Sequence, residues 1–321
     1  MKVAIYSPNW VGDAVLSLPF INNIKLKHPD SKIIMICKKW VSSVYLNHPN
    51  IDELIVIPVG KNHGIINTFN TGLSLRDLKI DVFYSLTDSF RSSTIMWLSG
   101  AIKRIGFIAQ FRGLFLTEKI ELPTKKVHRS LKYLKLMNKT EFNSDLKFIF
   151  LNEKELSWGK KEIKSLGLKD PVALFPFSIA PERTFPQEKI SEWINGSNES
   201  YMIFGSKDEA KKAKKIIQKN KIKNIISLCG KYSLRESIVM ISLCKYAIAS
   251  DSGLGHLSSI IGVPTISFFG GNRSIVTGPI GKNCKVIDKS HRCKPCRKNI
   301  CCLKSITLAD VSSSISSVLT N

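Results

Sequence analysis

Acidic residues are scarce in this chain: 25 Asp and Glu stand against 48 Lys and Arg, leaving a net charge of +23. An excess of that size is met by nucleic acid, an anionic membrane surface or an anionic substrate, and a merely Lys-rich surface produces it too. Nucleic acid is the least favoured, and none is expected as a partner. The basic residues are spread along the chain, without zinc-finger spacing, a basic zipper or an aromatic RNA-binding signature. Also missing is any run of about 18 uncharged apolar residues, so no membrane-spanning helix is expected. The N-terminus, Met1-Lys2-Val3-Ala4-Ile5-Tyr6-Ser7-Pro8, reads as a strand and its turn, not as an apolar leader with a cleavage site. A cytoplasmic protein is expected. There is no Gly-x-Gly-x-x-Gly, which argues against a dinucleotide-dependent oxidoreductase. Internal repeats and long low-complexity tracts are absent as well.

What is present is enough apolar material for two cores. A chain of 321 residues, 43% hydrophobic and 23% charged, fits two domains of about 150 residues each. Short apolar runs at 3–6, 32–37, 54–57, 82–86 and 104–107 alternate with helical patterns such as 14–27 and 92–100. A polar stretch, Asn138-Lys139-Thr140-Glu141-Phe142-Asn143-Ser144-Asp145, interrupts the rhythm, and a basic helix follows over 153–166. A second series then sets strands at 172–175, 201–204, 225–228, 246–249 and 264–268, with helices at 207–220, 233–243 and 256–262. Alternation of this kind builds parallel sheets with right-handed crossovers. The reading is α/β, with one domain over 1–155 and a second over 156–321, and a last helix at 308–319 that packs on either. Ligands in such folds sit at the carboxyl ends of the strands, and a cleft between the domains is the expected active site.

Five segments carry candidate chemistry. Ser7-Pro8-Asn9-Trp10-Val11-Gly12-Asp13 joins the first strand to the first helix, and Asp13 is either a helix cap or a general base. Asp251-Ser252-Gly253-Leu254-Gly255-His256 follows a strand and opens a helix whose uncovered N–H groups attract phosphate. Asp251 there is alternatively a cap, and His256 a half-buried core histidine. The loop 176–186 contributes Ser178 and Arg183, whose planar fork grips two phosphate oxygens or simply faces solvent. Asp88-Ser89-Phe90-Arg91-Ser92-Ser93 offers hydroxyls and a cation to an acceptor, although capping by Ser89 or Ser92 explains the hydroxyls equally well.

Of the eight cysteines, Cys37, Cys229 and Cys244 sit in apolar segments and read as core. Cys284, Cys293, Cys296, Cys301 and Cys302, with His291, crowd toward the C-terminus. They lack two well-separated Cys-x-x-Cys pairs, so a thiol-rich loop closing the domain is preferred to a zinc site. No cofactor or metal is expected.

Taken in order, Asn9-Trp10-Val11-Gly12-Asp13, Asp88-Ser89-Phe90-Arg91-Ser92, Lys103-Arg104-Ile105-Gly106-Phe107, Arg183-Thr184-Phe185-Pro186 and Ser250-Asp251-Ser252-Gly253-Leu254-Gly255-His256 resemble the ADP-heptose:lipopolysaccharide heptosyltransferases of glycosyltransferase family 9. The Cys-rich tail is similar to the heptosyltransferase II branch. The resemblance spans nearly the whole chain. It implies the GT-B architecture: two Rossmann-like domains with parallel sheets facing a central cleft, the acceptor on the first and ADP-heptose on the second. It implies Asp13 as catalytic base and Ser178, Arg183, Asp251, Ser252, Gly253, Leu254 and His256 as donor-binding residues. Asn9, Trp10, Ser89 and Arg91 are the acceptor-side candidates. Gly255 stands where bulkier residues are common in the family. The implied reaction is inverting and metal-independent, the implied acceptor is the anionic inner core of lipopolysaccharide, and peripheral contact with the inner membrane surface accompanies it. A family 9 enzyme using another nucleotide sugar, and a non-catalytic basic binding protein, are the rival readings.

Overall fold

The computed structural model describes residues 1–58, 60, 64–143, 146–194, 197–219, 224–290 and 301–320, without the side chain of Cys301. The chain divides into two compact units, Met1–Phe150 and Leu151–Asn321. In the first, β1 (Lys2–Tyr6), β2 (Lys32–Lys38), β3 (Glu53–Ile57), β4 (Val82–Ser85), β5 (Lys103–Phe107) and β6 (Glu118–Ile120) form one sheet in the order β3-β2-β1-β4-β5-β6. In the second, β7 (Val172–Phe175), β8 (Tyr201–Ile203), β9 (Ile225–Ser227), β10 (Ala247–Ser250), β11 (Thr265–Phe269) and β12 (Cys284–Asp288) follow the order β12-β11-β10-β7-β8-β9. All neighbours pair in parallel. Both units are α/β in the Rossmann-like manner of GT-B proteins.

Central strands of such sheets are covered on both faces and therefore read as unbroken apolar runs. In β1, Val3, Ala4 and Ile5 are fully buried, and Val3 lies in register between Ile33 and Val82. The second sheet shows the two faces separately. Val172 and Leu174 join Tyr246, Ile248 and Ile266 in one core, while Ala173 and Phe175 join Ala247 and Ala249 in the other. Strands β6 and β12 escaped the sequence reading because their patterns are weak. Glu118-Lys119-Ile120 is short and exposed, and every residue of β12 keeps some solvent contact.

The helix expected over 14–27 is in fact two, Val11–Leu16 and Leu18–Lys27. Pro19 sits in the first turn of the second and has no N–H to continue the ladder, so the chain breaks at Ser17. Helices Ile65–Ser74, Arg129–Lys135 and Gln187–Ile194 are further additions. The last helix, Leu308–Leu319, packs on β11, β12 and the helix Gln187–Ile194 of the second unit. Its Val311 and Val318 belong to that unit's core.

Strand order reverses between β1 and β4 in the first unit and between β7 and β10 in the second. Loops leaving the carboxyl ends of adjacent strands diverge at such a point and leave a crevice. The four loops concerned are those after Tyr6, Ser85, Phe175 and Ser250. They are the segments that carry the candidate residues.

Candidate functional site

In the second unit, Asp251 lies directly beyond β10 and is almost fully buried. Ser178, on the loop after β7, donates its hydroxyl proton to the Asp251 carbonyl at 3.0 Å. Arg183 approaches the Asp251 carboxylate at 3.5 Å through Nη1, with a third of its side chain exposed. His256 Nε2 lies 3.9 Å from the other carboxylate oxygen. Thr184 fixes the loop by accepting the Ser178 N–H at 3.1 Å. Asp251 is therefore an inward anchor that orients one edge of Arg183. The guanidinium, with five donors, retains others for an outside anion.

The cap of the following helix is Ser252, not Asp251: its side chain accepts the Gly255 N–H at 3.4 Å. The helix begins at Gly253, three residues before the sequence pattern suggested. This puts the N–H groups of Gly253 and Leu254 in its first turn, where they have no intrahelical acceptor. The Leu254 side chain packs on the core, so its contact with a ligand runs through the backbone. Gly255 is dictated by close approach. A Cβ there would stand 2.8 Å from Ala249 Cβ and 3.1 Å from the Ser250 carbonyl oxygen. Its absence seats the helix against β10. Ser178 and Arg183 on the loop after β7 thus neighbour Asp251 and Ser252 after β10 and the helix they open; Asp251 and His256 are buried beneath, while Arg183, Ser178 and the N–H groups of Gly253 and Leu254 supply a cation, a hydroxyl and backbone donors.

In the first unit, Asp13 is the third residue of the helix Val11–Leu16, inside its first turn. Trp10 holds the cap position without a side-chain bond and is 60% exposed. The capping alternative for Asp13 is therefore not realised. Its carboxylate complements the positive end of the helix and stands 3.6 Å from Arg129 Nε, both groups keeping solvent access. The turn before it is pinned from below. The Ser7 hydroxyl and the buried Tyr45 phenol share a hydrogen bond of 2.8 Å, and Tyr45 also meets Ser17 at 3.1 Å. The Asn9 carbonyl accepts from Trp40 Nε1 at 2.6 Å. Asn9 Oδ1 is buried without a hydrogen-bond partner among the described residues.

Ser89 caps the helix Phe90–Leu98 by accepting the Ser92 N–H, while the buried Ser92 hydroxyl donates to the Ser89 carbonyl. The capping explanation of these hydroxyls is thus realised. Arg91 sits in the first turn of the same helix.

Three cations here were missed in the sequence. Arg129 and Lys132 lie on the helix Arg129–Lys135, with Lys132 Nζ 2.5 Å from Asp88 Oδ2. Spacing of three between Arg129, Lys132 and Lys135 is a one-face signal that would have revealed a basic helix. Arg112 is fully buried and donates to the Thr87 carbonyl. Burial pushes its pKa down to about 10, against the opposing pull of Asp88. No sequence pattern marks a buried arginine on a short exposed loop.

Cys37, Cys229 and Cys244 are buried. Burial pushes the Cys284 thiol, at the start of β12, up to about 12. His291, Cys293, Cys296 and the side chain of Cys301 lie outside the described residues.

Residues 69–307 match the profile of glycosyltransferase family 9 (heptosyltransferase). The chain is 27% identical over 317 residues to lipooligosaccharide heptosyltransferase 2 of Campylobacter jejuni, covering 95% of this chain and 92% of the relative. It is 23% identical over 307 residues to lipopolysaccharide heptosyltransferase 2 of Escherichia coli, covering 89% and 88%. The solved structure of E. coli ADP-heptose lps heptosyltransferase II superposes with a TM-score of 0.84 at 20% identity, over 100% of this chain and 99% of that one.

Proposed function

Because the chain belongs to glycosyltransferase family 9, we propose that it moves heptose from ADP-heptose to the inner core of lipopolysaccharide with inversion at the anomeric carbon. The observation that carries the donor half is the grouping of Ser178, Arg183 and the first turn of the helix Gly253–Ile261 at the β7/β10 reversal. A diphosphate fits that chemistry, since one oxyanion takes the N–H groups and the other takes the guanidinium. The names of the relatives support heptose as the sugar and a lipopolysaccharide or lipooligosaccharide as the acceptor.

In this reading the first unit holds the acceptor and Asp13 accepts the proton of the attacking hydroxyl. The hydroxyl oxygen forms the new bond to the anomeric carbon as the bond to the diphosphate oxygen breaks. The transition state has oxocarbenium character. Negative charge then grows on ADP, and Arg183, Ser178 and the Gly253 and Leu254 N–H groups lie ready to receive it without a metal step. Asn9, Trp10, Ser89 and Arg91 contribute to the acceptor surface around Asp13.

We place the reaction at the cytoplasmic face of the inner membrane, with peripheral contact. Ile65, Ile66, Phe111 and Leu114 of the first unit are each at least 76% exposed, which supports an apolar contact. The net charge of +23 supports attraction to anionic lipid and to the acceptor alike.

The test separates chemistry from binding. Asp13→Asn keeps shape and removes the base, so transfer should fall by about 100-fold or more while the Kd for ADP, read by calorimetry, stays within about twofold. Loss of ADP binding together with transfer would assign Asp13 a structural role instead.

A further inference from the structure

The helix Arg129–Lys135 opens on a cation, where helix electrostatics argue against one. The first turn of a helix carries partial positive charge, and this one holds no acidic residue to offset Arg129. The offsetting charge comes from another element. Asp13 Oδ1, in the first turn of the helix Val11–Leu16, stands 3.6 Å from Arg129 Nε. That carboxylate is the group proposed above as the base. Both side chains keep part of their solvent access, and ion pairs of that kind add little to stability. The pair therefore does little to hold the two helices together.

The Arg129 helix is seated instead by the loop after β4. Lys132, one turn beyond Arg129 and on the same face, reaches Asp88 Oδ2 at 2.5 Å. Its ammonium also lies over the Phe107 ring, 5.1 Å from the centroid. Beside Asp88, the Thr87 carbonyl accepts from the fully buried Arg112. Arg112 fits because residue 106 is glycine: a Cβ there would stand 2.8 Å from its Nη2. Tyr133 of the same helix is buried within the fields of Asp13, Arg129 and Asp88, and burial pushes its phenol well up, so it stays neutral. Tyr45, on the helix Ser42–Tyr45, also feels the Asp13 charge and is likewise pushed up by burial. His128 caps the Arg129 helix by accepting the Ser130 N–H. Of the lysines on the other elements packed against Asp13's helix, Lys25 pairs with Asp52, Lys27 lies toward the Tyr84 ring and Lys39 is exposed.

We propose that Arg129 is the positioning residue of the candidate base: seated by the Asp88–Lys132 pair, it keeps the Asp13 carboxylate ionised and in one orientation toward the attacking hydroxyl. This role rests on the transferase reading, whereas the coupling of Arg129 to Asp13 does not. A neighbouring cation lowers the basicity of a carboxylate, which by itself slows proton transfer. Orientation outweighs that loss, since a misplacement of about 1 Å costs up to about 100-fold in rate.

Two arms test it. In transfer assays, Arg129→Gln should lower kcat about tenfold with KM for ADP-heptose and Kd for ADP kept within about twofold. Arg129→Lys preserves the charge and should bring kcat back to within about threefold of the wild type. Lys132→Gln should lower kcat alone, yet add less than about twofold to the loss in the Arg129→Gln background, because it acts through Arg129. The second arm needs no turnover. In protein carrying isotope-labelled aspartate, the Asp13 carboxyl resonance, identified by its loss in Asp13→Asn, should titrate at higher pH in Arg129→Gln than in the wild type. A merely structural arginine would leave that titration in place. An unmoved titration, an undiminished kcat in Arg129→Gln, or no recovery in Arg129→Lys overturns the positioning role, and additive losses in the double variant overturn the seat at Lys132. A wild type that transfers no heptose, but whose Asp13 titration moves in Arg129→Gln, keeps the coupling and loses the transferase reading.

Discussion

His48 shows how one side chain ties this fold to pH. It is 3% exposed, accepts the Asn50 N–H through Nδ1 at 3.2 Å and packs edge-on against Phe150. Burial pushes its pKa down to about 4 from the ordinary 6.5. Between those values the unfolded chain binds the proton and the folded chain does not, so stability rises with pH in that window. The contribution is complete above pH 6.5 and is lost as pH falls toward 4, reaching about 3 kcal/mol. Urea unfolding at pH 7 and pH 5 checks this: His48→Leu should flatten the dependence that the wild type shows. An unchanged slope would place the acid sensitivity elsewhere. Nothing in Leu46-Asn47-His48-Pro49 announces a buried imidazole, because burial here comes from Phe150, about a hundred residues away. Arg112 is concealed for the same reason, its partners Thr87 and Asp88 lying on another loop. Asp13 and Arg183 could be singled out as candidates because each lies on the segment that follows an apolar strand.

Among the elements, the helix Gly253–Ile261 is the one on which the proposed donor site depends. At Gly255 a side chain would press on Ala249 and on the Ser250 carbonyl, so the close seat of the helix on β10 requires glycine there. Two effects compete in Gly255→Ala. Helix propensity favours alanine by about 1 kcal/mol. Overpacking opposes it by about 1–3 kcal/mol, and at 2.8 Å from Ala249 Cβ the steric term wins. Net destabilisation on the order of 1 kcal/mol and weaker ADP binding are expected, read by urea unfolding and calorimetry. Stability or affinity above the wild type would show that the helix has room to shift. The strands at the sheet centres and the apolar edge strands β3 and β9 were readable from their apolar runs, whereas β6 and β12 were not, since Glu118-Lys119-Ile120 is mostly exposed and no residue of β12 is fully buried. Helix starts were misjudged at Val11 and Gly253 because small and polar residues there serve the turn, not the core.

For the whole molecule, two separate sheets of one topology repeat a single arrangement: order reverses beside the first strand, and polar loops gather there. Fold class followed from the alternation of strands and helices. Charge did not identify the partner. The +23 excess is shared by the two units, from the Arg129–Lys132 face of one to the Lys-rich helix Ala210–Lys219 of the other, and an even field carries no address. The substrate reading therefore stands on the site and the family. The most direct test is mass-resolved transfer to a truncated lipopolysaccharide acceptor, with ADP-heptose, UDP-hexose and GDP-hexose offered in parallel. One heptose added from ADP-heptose, with negligible product from the other donors, is expected. Preferential hexose transfer from UDP- or GDP-sugars, or no transfer from ADP-heptose despite tight ADP binding, would contradict it.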